Sequence, residues 1–159
     1  MASSPLLDFD AVDLSRTVVP IESVREHCQQ RNRFEMLHGI LHLDLESGLI
    51  VGYRDIHADD WWAEDHVPGR PIFPGALQIE GAAQLCTYAF MRRSTERAGQ
   101  FVGFAGLNDT RFRGIVEPPS RLIWAARQVK IRSSIFVYQA QGYVDRRMVF
   151  ETEIMGMVF

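Results

Sequence analysis

The chain has 159 residues, 47% of them hydrophobic and 23% charged, with a formal net charge of −3. Such a length favours one domain with a sizeable core, and the composition is that of an ordinary globular protein. The longest apolar stretch, residues 77–90, is broken by Gln78, Glu80 and Gln84, which argues against a membrane helix.

The first residues, MASSPLLDFD, lack a basic segment followed by an apolar one, so the sequence predicts no signal peptide. Cys28 and Cys86 are far apart and in no metal or redox spacing; they are expected to be reduced thiols of a cytoplasmic protein, with no metal site. The charge is uneven. Residues 1–66 carry 13 acids against 5 arginines, and residues 67–159 carry 7 acids against 12 arginines or lysines. Sixteen of the 17 basic residues are arginine, whose planar fork suits carboxylates and phosphates, although a biased genome would enrich arginine equally.

Residues 1–20 show little periodicity and are expected to be an N-terminal extension, with residues 21–159 a single domain. Residues 21–30 predict a short helix. Residues 34–44 and 49–56 predict two strands joined by a turn at Glu46-Ser47-Gly48. Residues 57–75 form a loop with a helical turn expected over 59–64. A long helix is predicted from Pro74 to about Arg97; its residues are apolar nearly all round until Arg92, which marks a buried helix. Four strands should follow, over 101–113, 121–132, 135–146 and 148–159. The order predicts an α+β fold, one antiparallel sheet wrapped around one long central helix, with an open side closed by a second copy.

The stretch EDHVPGRPIFPGALQIE, residues 64–80, concentrates the chemistry. Three prolines and two glycines leave the loop few conformations, and they separate His66 from the helix that carries Glu80. Glu80 has Ala76, Leu77, Ala83 and Gln84 as its helical neighbours, none of them basic. A carboxylate so placed has a distant partner, faces a cavity, or is protonated by desolvation; a remote arginine at a subunit contact is the plain structural alternative. An imidazole is the common proton acceptor near neutral pH. The Gly75 amide, in the first helical turn, lacks an internal acceptor and can receive a developing oxyanion. A base, an oxyanion donor and an acid suit removal of a proton beside a carbonyl with loss of a β-hydroxyl. The other histidines, His27, His38, His42 and His57, lie in element patterns without an evident partner.

Residues 66–77, HVPGRPIFPGAL, followed by Glu80 and Gln84, resemble the signature of the FabZ-type β-hydroxyacyl-(acyl-carrier-protein) dehydratases, H-F-P-G-x-P-x-x-P-G-x-L-x-x-E-x-x-x-Q. Trp61-Trp62 stands where that family has two Phe, and FAGLNDTRFRGIVEPPSRL is similar to its later strand. The resemblance spans roughly residues 21–159 and implies a hot-dog fold, no cofactor and no nucleic-acid or membrane partner. It further implies an acyl carrier protein bearing a phosphopantetheine thioester as partner, and a homodimer at minimum, with a hexamer the larger alternative. Carried over, His66 is the base, Glu80 of the other subunit assists loss of the hydroxyl, and the Gly75 amide holds the thioester oxygen. Val67, Pro74, Ala76, Gln84 and Arg111 are the expected substrate-binding positions, Gln84 in a supporting role. Arg70, Arg92, Arg93, Arg113, Arg121 and Arg127 are expected, with Arg111, to supply a positive rim for the acidic carrier.

The chain departs from that pattern at Asp65 (usually Gly), Val67 (usually Phe) and Pro119-Ser120 (usually Gly-Asp). The motif P-H-R-x-P-F-L is barely visible in QQRNRFEML. A carboxylate that is Glu favours plain dehydration over dehydration with double-bond isomerisation, for which Asp is typical. Two other readings stay open, a non-catalytic acyl-thioester binder and a hot-dog thioesterase.

Overall fold

The computed structural model describes residues 3–159. Seven antiparallel strands form one sheet: β1 (Val19–Pro20), β2 (Gly39–Asp44), β3 (Leu49–Ile56), β4 (Val102–Phe112), β5 (Ser120–Ile131), β6 (Ile135–Val144) and β7 (Arg147–Val158), in the order β1-β2-β3-β5-β6-β7-β4. Three helices complete it, α1 (Ile21–Arg25), α2 (Trp62–His66) and α3 (Gly75–Met91), with single 3₁₀ turns at Asn32–Phe34 and Thr95–Arg97. The sheet curls around α3, as the order of elements predicts.

α3 is seated by a close contact. The Trp124 indole of β5 lies so near Gly81 that a Cβ there would sit 2.3 Å from its Cζ2, and the indole N–H donates to the Gln78 carbonyl at 3.1 Å. Leu85, Cys86, Ala89 and Phe90 then pack among Ile50, Phe136, Tyr138 and Ile154 in one core. Both cysteines are free thiols within it; burial pushes Cys28 up to about 12 and Cys86 higher still, so neither supplies a thiolate near neutral pH.

Four boundaries differ from expectation. α3 ends at Met91 rather than near Arg97, because Ser94 turns extended and its hydroxyl accepts the Glu96 amide, starting a separate 3₁₀ turn. α1 stops at Arg25, and its exit runs through Asn32 at φ 57°. β2 begins at Gly39 rather than Phe34, since the backbone of residues 34–36 bonds to a helix side chain instead of a neighbouring strand. The helical turn falls at residues 62–66, so His66 ends a helix rather than lying in a loop. The two-residue β1, paired with Gly39 and Ile40, was not foreseen.

Residues 3–14 lie along the outer face of the sheet. Leu7 is buried there with Leu41, Val51, Ala125 and Tyr143. The Leu6 amide donates to Gln141 Oε1 at 2.7 Å, and the Phe9 ring meets Tyr143 edge-on. Truncating Trp124 to Ala is expected to destabilise the fold by about 3–5 kcal/mol, the range for a large buried aromatic. Urea unfolding followed by far-UV circular dichroism measures it, and a loss under about 1 kcal/mol would mean that α3 is seated by other contacts.

Candidate active site

α2 is anchored by Trp62 and Ala63, both buried, and Trp62 meets Phe73 edge-on with centroids 5.2 Å apart. Phe73 is itself buried, and its amide donates to the Val116 carbonyl at 2.8 Å. Between these fixed ends the chain reverses. Arg70 N donates to Val67 O at 3.0 Å, and Gly69 takes φ +80°, a left-handed conformation that favours glycine. The reversal sets His66 Nδ1 2.7 Å from the Ile72 carbonyl oxygen. A carbonyl only accepts, so Nδ1 carries a proton, and in the neutral ring the lone pair belongs to Nε2. The ring is solvent-exposed in the single chain.

Pro74 caps α3, and its carbonyl accepts the amides of Leu77 and Gln78. Gly75 is therefore the first helical residue, where an amide has no intrahelical acceptor. The Phe112 ring of β4 covers it; a Cβ at Gly75 would lie 2.9 Å from two ring carbons. Ala76 is exposed in the same turn, and Val67 is half-buried at the end of α2.

Glu80 lies one turn further on and lines a pocket of about 280 Å³ between α3 and the start of β4. Its Oε1 accepts Gln84 Nε2 at 2.8 Å. Gln84 is 4% exposed and fully engaged: Nε2 also donates to the Phe34 carbonyl at 2.7 Å, and Oε1 accepts the Met36 amide at 3.0 Å. An acceptor on one side and a donor on the other fix which way the amide points, so Gln84 holds Glu80 with an N–H. Within the chain, the partner of Glu80 is thus a neutral side chain.

The structure gathers Glu80 and Gln84 at one pocket and His66, Val67, Pro74 and Gly75 around the start of α3. His66 does not line the pocket of Glu80. Arg111 belongs to neither group. Its guanidinium lies 3.8 Å from Asp109 and 3.9 Å from Glu151, in a polar hollow with Gln139 and Gln141. The other expected rim arginines are dispersed. Arg113 pairs with Glu151, Arg121 with Asp55 and Arg70 with Glu117, while Arg93 and Arg127 donate to the carbonyls of Leu45 and Leu6. Arg92 is exposed. Among the remaining histidines, His38 accepts the Asp55 amide at Nδ1, and burial foremost lowers its pKa. Sequence reasoning did not find the Ile72 carbonyl or the backbone at Phe34 and Met36, since a main-chain partner has no residue-type signal.

A family model described as the FabA-like domain matches residues 28–153. The chain belongs to the FabA-like family. It is 33% identical over 139 residues to the 3-hydroxyacyl-[acyl-carrier-protein] dehydratase FabZ of Desulfotalea psychrophila, covering 87% of this chain and 92% of that one. It is 28% identical over 144 residues to the enzyme of the same name from Campylobacter jejuni strain 81-176, covering 89% and 98%. Among solved structures, the dehydratase heterocomplex ApeI:P from Xenorhabdus doucetiae matches with a TM-score of 0.72 at 11% identity, over 86% of this chain and 90% of that one. A hypothetical thioesterase with coenzyme A from Streptococcus pneumoniae matches with 0.59 at 8%, over 87% and 96%. At such identities the structures establish a shared fold, and this FabA-like chain has the hot-dog architecture, one long helix enclosed by an antiparallel sheet.

Two substitutions separate the roles within the pocket. Gln84→Ala strands the buried Met36 amide, at an expected cost of about 1–3 kcal/mol, and leaves the part-buried Phe34 carbonyl without its donor. Glu80→Gln keeps an acceptor for Gln84 and should leave the urea midpoint unchanged or raised. A loss of about 3–5 kcal/mol in Glu80→Gln would instead indicate a charged partner.

Proposed function

We propose that this FabA-like protein removes water from a 3-hydroxyacyl thioester carried by an acyl carrier protein, giving the trans-2-enoyl thioester in fatty-acid or related acyl biosynthesis. The reading rests most heavily on one observation: the His66 ring is locked with Nδ1–H on the Ile72 carbonyl, leaving Nε2 as a base, within a family whose curated relatives are named as such dehydratases. His66 Nε2 takes the proton from the carbon beside the thioester carbonyl. The electron pair of that bond forms the carbon–carbon double bond as the bond from the β-carbon to oxygen breaks, and the hydroxyl leaves as water with the proton that His66 removed or one held by Glu80. The Gly75 amide, at the positive end of α3, receives the charge that builds on the thioester oxygen. Glu80, steadied by Gln84, faces the departing hydroxyl. Val67, Pro74 and Ala76 border the reacting end of the chain. No group beyond these side chains and amides is required.

The site is completed by a second copy. β4 is an open edge of the sheet and carries Phe104, Leu107 and Phe112, each between 43% and 52% exposed. Unpaired edges bearing large apolar side chains call for a covering partner. Two β4 strands paired antiparallel across a two-fold axis set the start of one beside the end of the other. The start lines the pocket of Glu80 and the end covers Gly75. Each Glu80 therefore faces the His66 and Gly75 of its partner, and a dimer holds two sites. The catalytic unit is residues 21–159, with residues 1–20 an N-terminal extension. Among the described residues no helix is long and apolar enough to cross a membrane; action in the cytoplasm is part of the dehydratase reading.

A synthetic 3-hydroxyacyl thioester tests the reaction. Enoyl absorbance marks dehydration, free thiol marks a thioesterase, and neither marks a binder. His66→Ala is expected to stay folded and to lose the ~10²–10⁴ typical of general acid–base groups. Near-normal turnover of a folded His66→Ala protein removes that residue from the mechanism. For the shared site, His66→Ala and Glu80→Gln subunits are co-refolded. Random pairing makes about half the dimers mixed, each with one intact site, so about a quarter of wild-type activity should return. Heterodimers seen by mass but inactive would place the pair within one chain.

A further inference from the structure

The pocket beside Glu80 ends differently from its middle. Glu80, Ala83, Gln84 and Thr87 stand at i, i+3, i+4 and i+7, a single stripe of α3. From Glu80 to Thr87 is about 10 Å along the axis at ~1.5 Å per residue. The middle is apolar, lined by Ala83, Phe104, Phe136 and Ile154. Phe136 is fixed there by Phe90, with centroids 4.7 Å apart, and by Tyr138, at 5.7 Å. Beyond it the lining changes. Thr87, Gln30, Phe101 and Val102 also border a second hollow of about 20 Å³, closed by His27, Gln29 and Gln100. That is room for about one water-sized group.

Thr87 and Gln30 are both partly buried, and among the described residues neither side chain forms a hydrogen bond. His27 is occupied elsewhere, with Nδ1 3.4 Å from the Ser23 carbonyl and its ring edge-on to Tyr88. A methyl group arriving at this end displaces water from a hydroxyl and an amide without replacing its hydrogen bonds. A single oxygen replaces them.

We propose that the acyl chain accepted here carries an oxygen function, hydroxyl or keto, near its far end, and that Thr87 and Gln30 read it. The inference rests on the dehydratase reading above and names the substrate class of the same pocket. It separates this chain from a dehydratase serving only saturated, unsubstituted chains.

The test uses the full-length protein and N-acetylcysteamine thioesters of 3-hydroxy acids, prepared as a short length series. Each length is made in two forms, one ending in a methyl group and one with a hydroxyl on the terminal carbon. At the best length the hydroxylated form is expected to have a kcat/KM about tenfold higher, the size of one or two partly exposed hydrogen bonds. Thr87→Val, which keeps the volume and removes the hydroxyl, should bring the two forms level, and Thr87→Ser should keep the preference. Gln30→Leu, outside α3, reads the same ratio if Thr87→Val does not fold. A methyl-ended chain turned over as well as or better than its hydroxylated twin at every length overturns the proposal and leaves the dehydratase reading intact. An unchanged preference in both Thr87→Val and Gln30→Leu overturns it as well. Absence of enoyl product from every substrate brings down the dehydratase reading and this inference with it.

Discussion

Everything in this molecule follows from a helix that leaves almost no side for water. Apart from the buried Gln78 and the short stripe of Glu80, Gln84 and Thr87, α3 is apolar to its end at Met91, so it is stable only when enclosed, and the sheet can enclose it only by curling. Trp124 fixes the distance at which that happens, because its ring fits only against a residue without a side chain. Once α3 is enclosed, its first turn and its polar residues can emerge only where the sheet is incomplete. That place is the β4 end, where the pocket of Glu80 lies.

The stiffness of the loop before α3 has a matching logic. An exposed imidazole is a poor catalyst if it rotates freely, since a base must be held near its proton. Here the ring is steadied by a carbonyl six residues ahead, and the intervening turn is pinned to the core through Trp62 and Phe73. The rigidity comes from packing beneath the loop together with the prolines within it.

Much of this was readable from the residues. The alternating strands and the apolar helix gave the architecture, and His66, Gly75 and Glu80 stood out because the loop between the first and the others was so constrained. Boundaries failed where a side chain intercepted the backbone. Ser94 took an amide that would have continued α3, and Gln84 took groups of residues 34–36 that would have begun β2 earlier. The arginine surplus was real, but charge counted along a chain says nothing of pairing. Arg113 and Arg121 had acids waiting on neighbouring strands, and Arg111 lies away from the pocket it was expected to serve. Nor did the sequence signal that Leu7 would be buried against the outer face of the sheet, since a lone apolar residue has no period.

The grip of Gln84 on residues 34 and 36 has an evolutionary side. It recognises a carbonyl and an amide, groups that every residue other than proline provides. The position of the Glu80 carboxylate is therefore insulated from the identity of the side chains in that segment. Substitutions there are filtered by whether the backbone keeps its shape, whatever groups it displays. A lineage can change the exposed residues of QQRNRFEML while the carboxylate stays in place, provided that Met36 and Leu37 remain in the core.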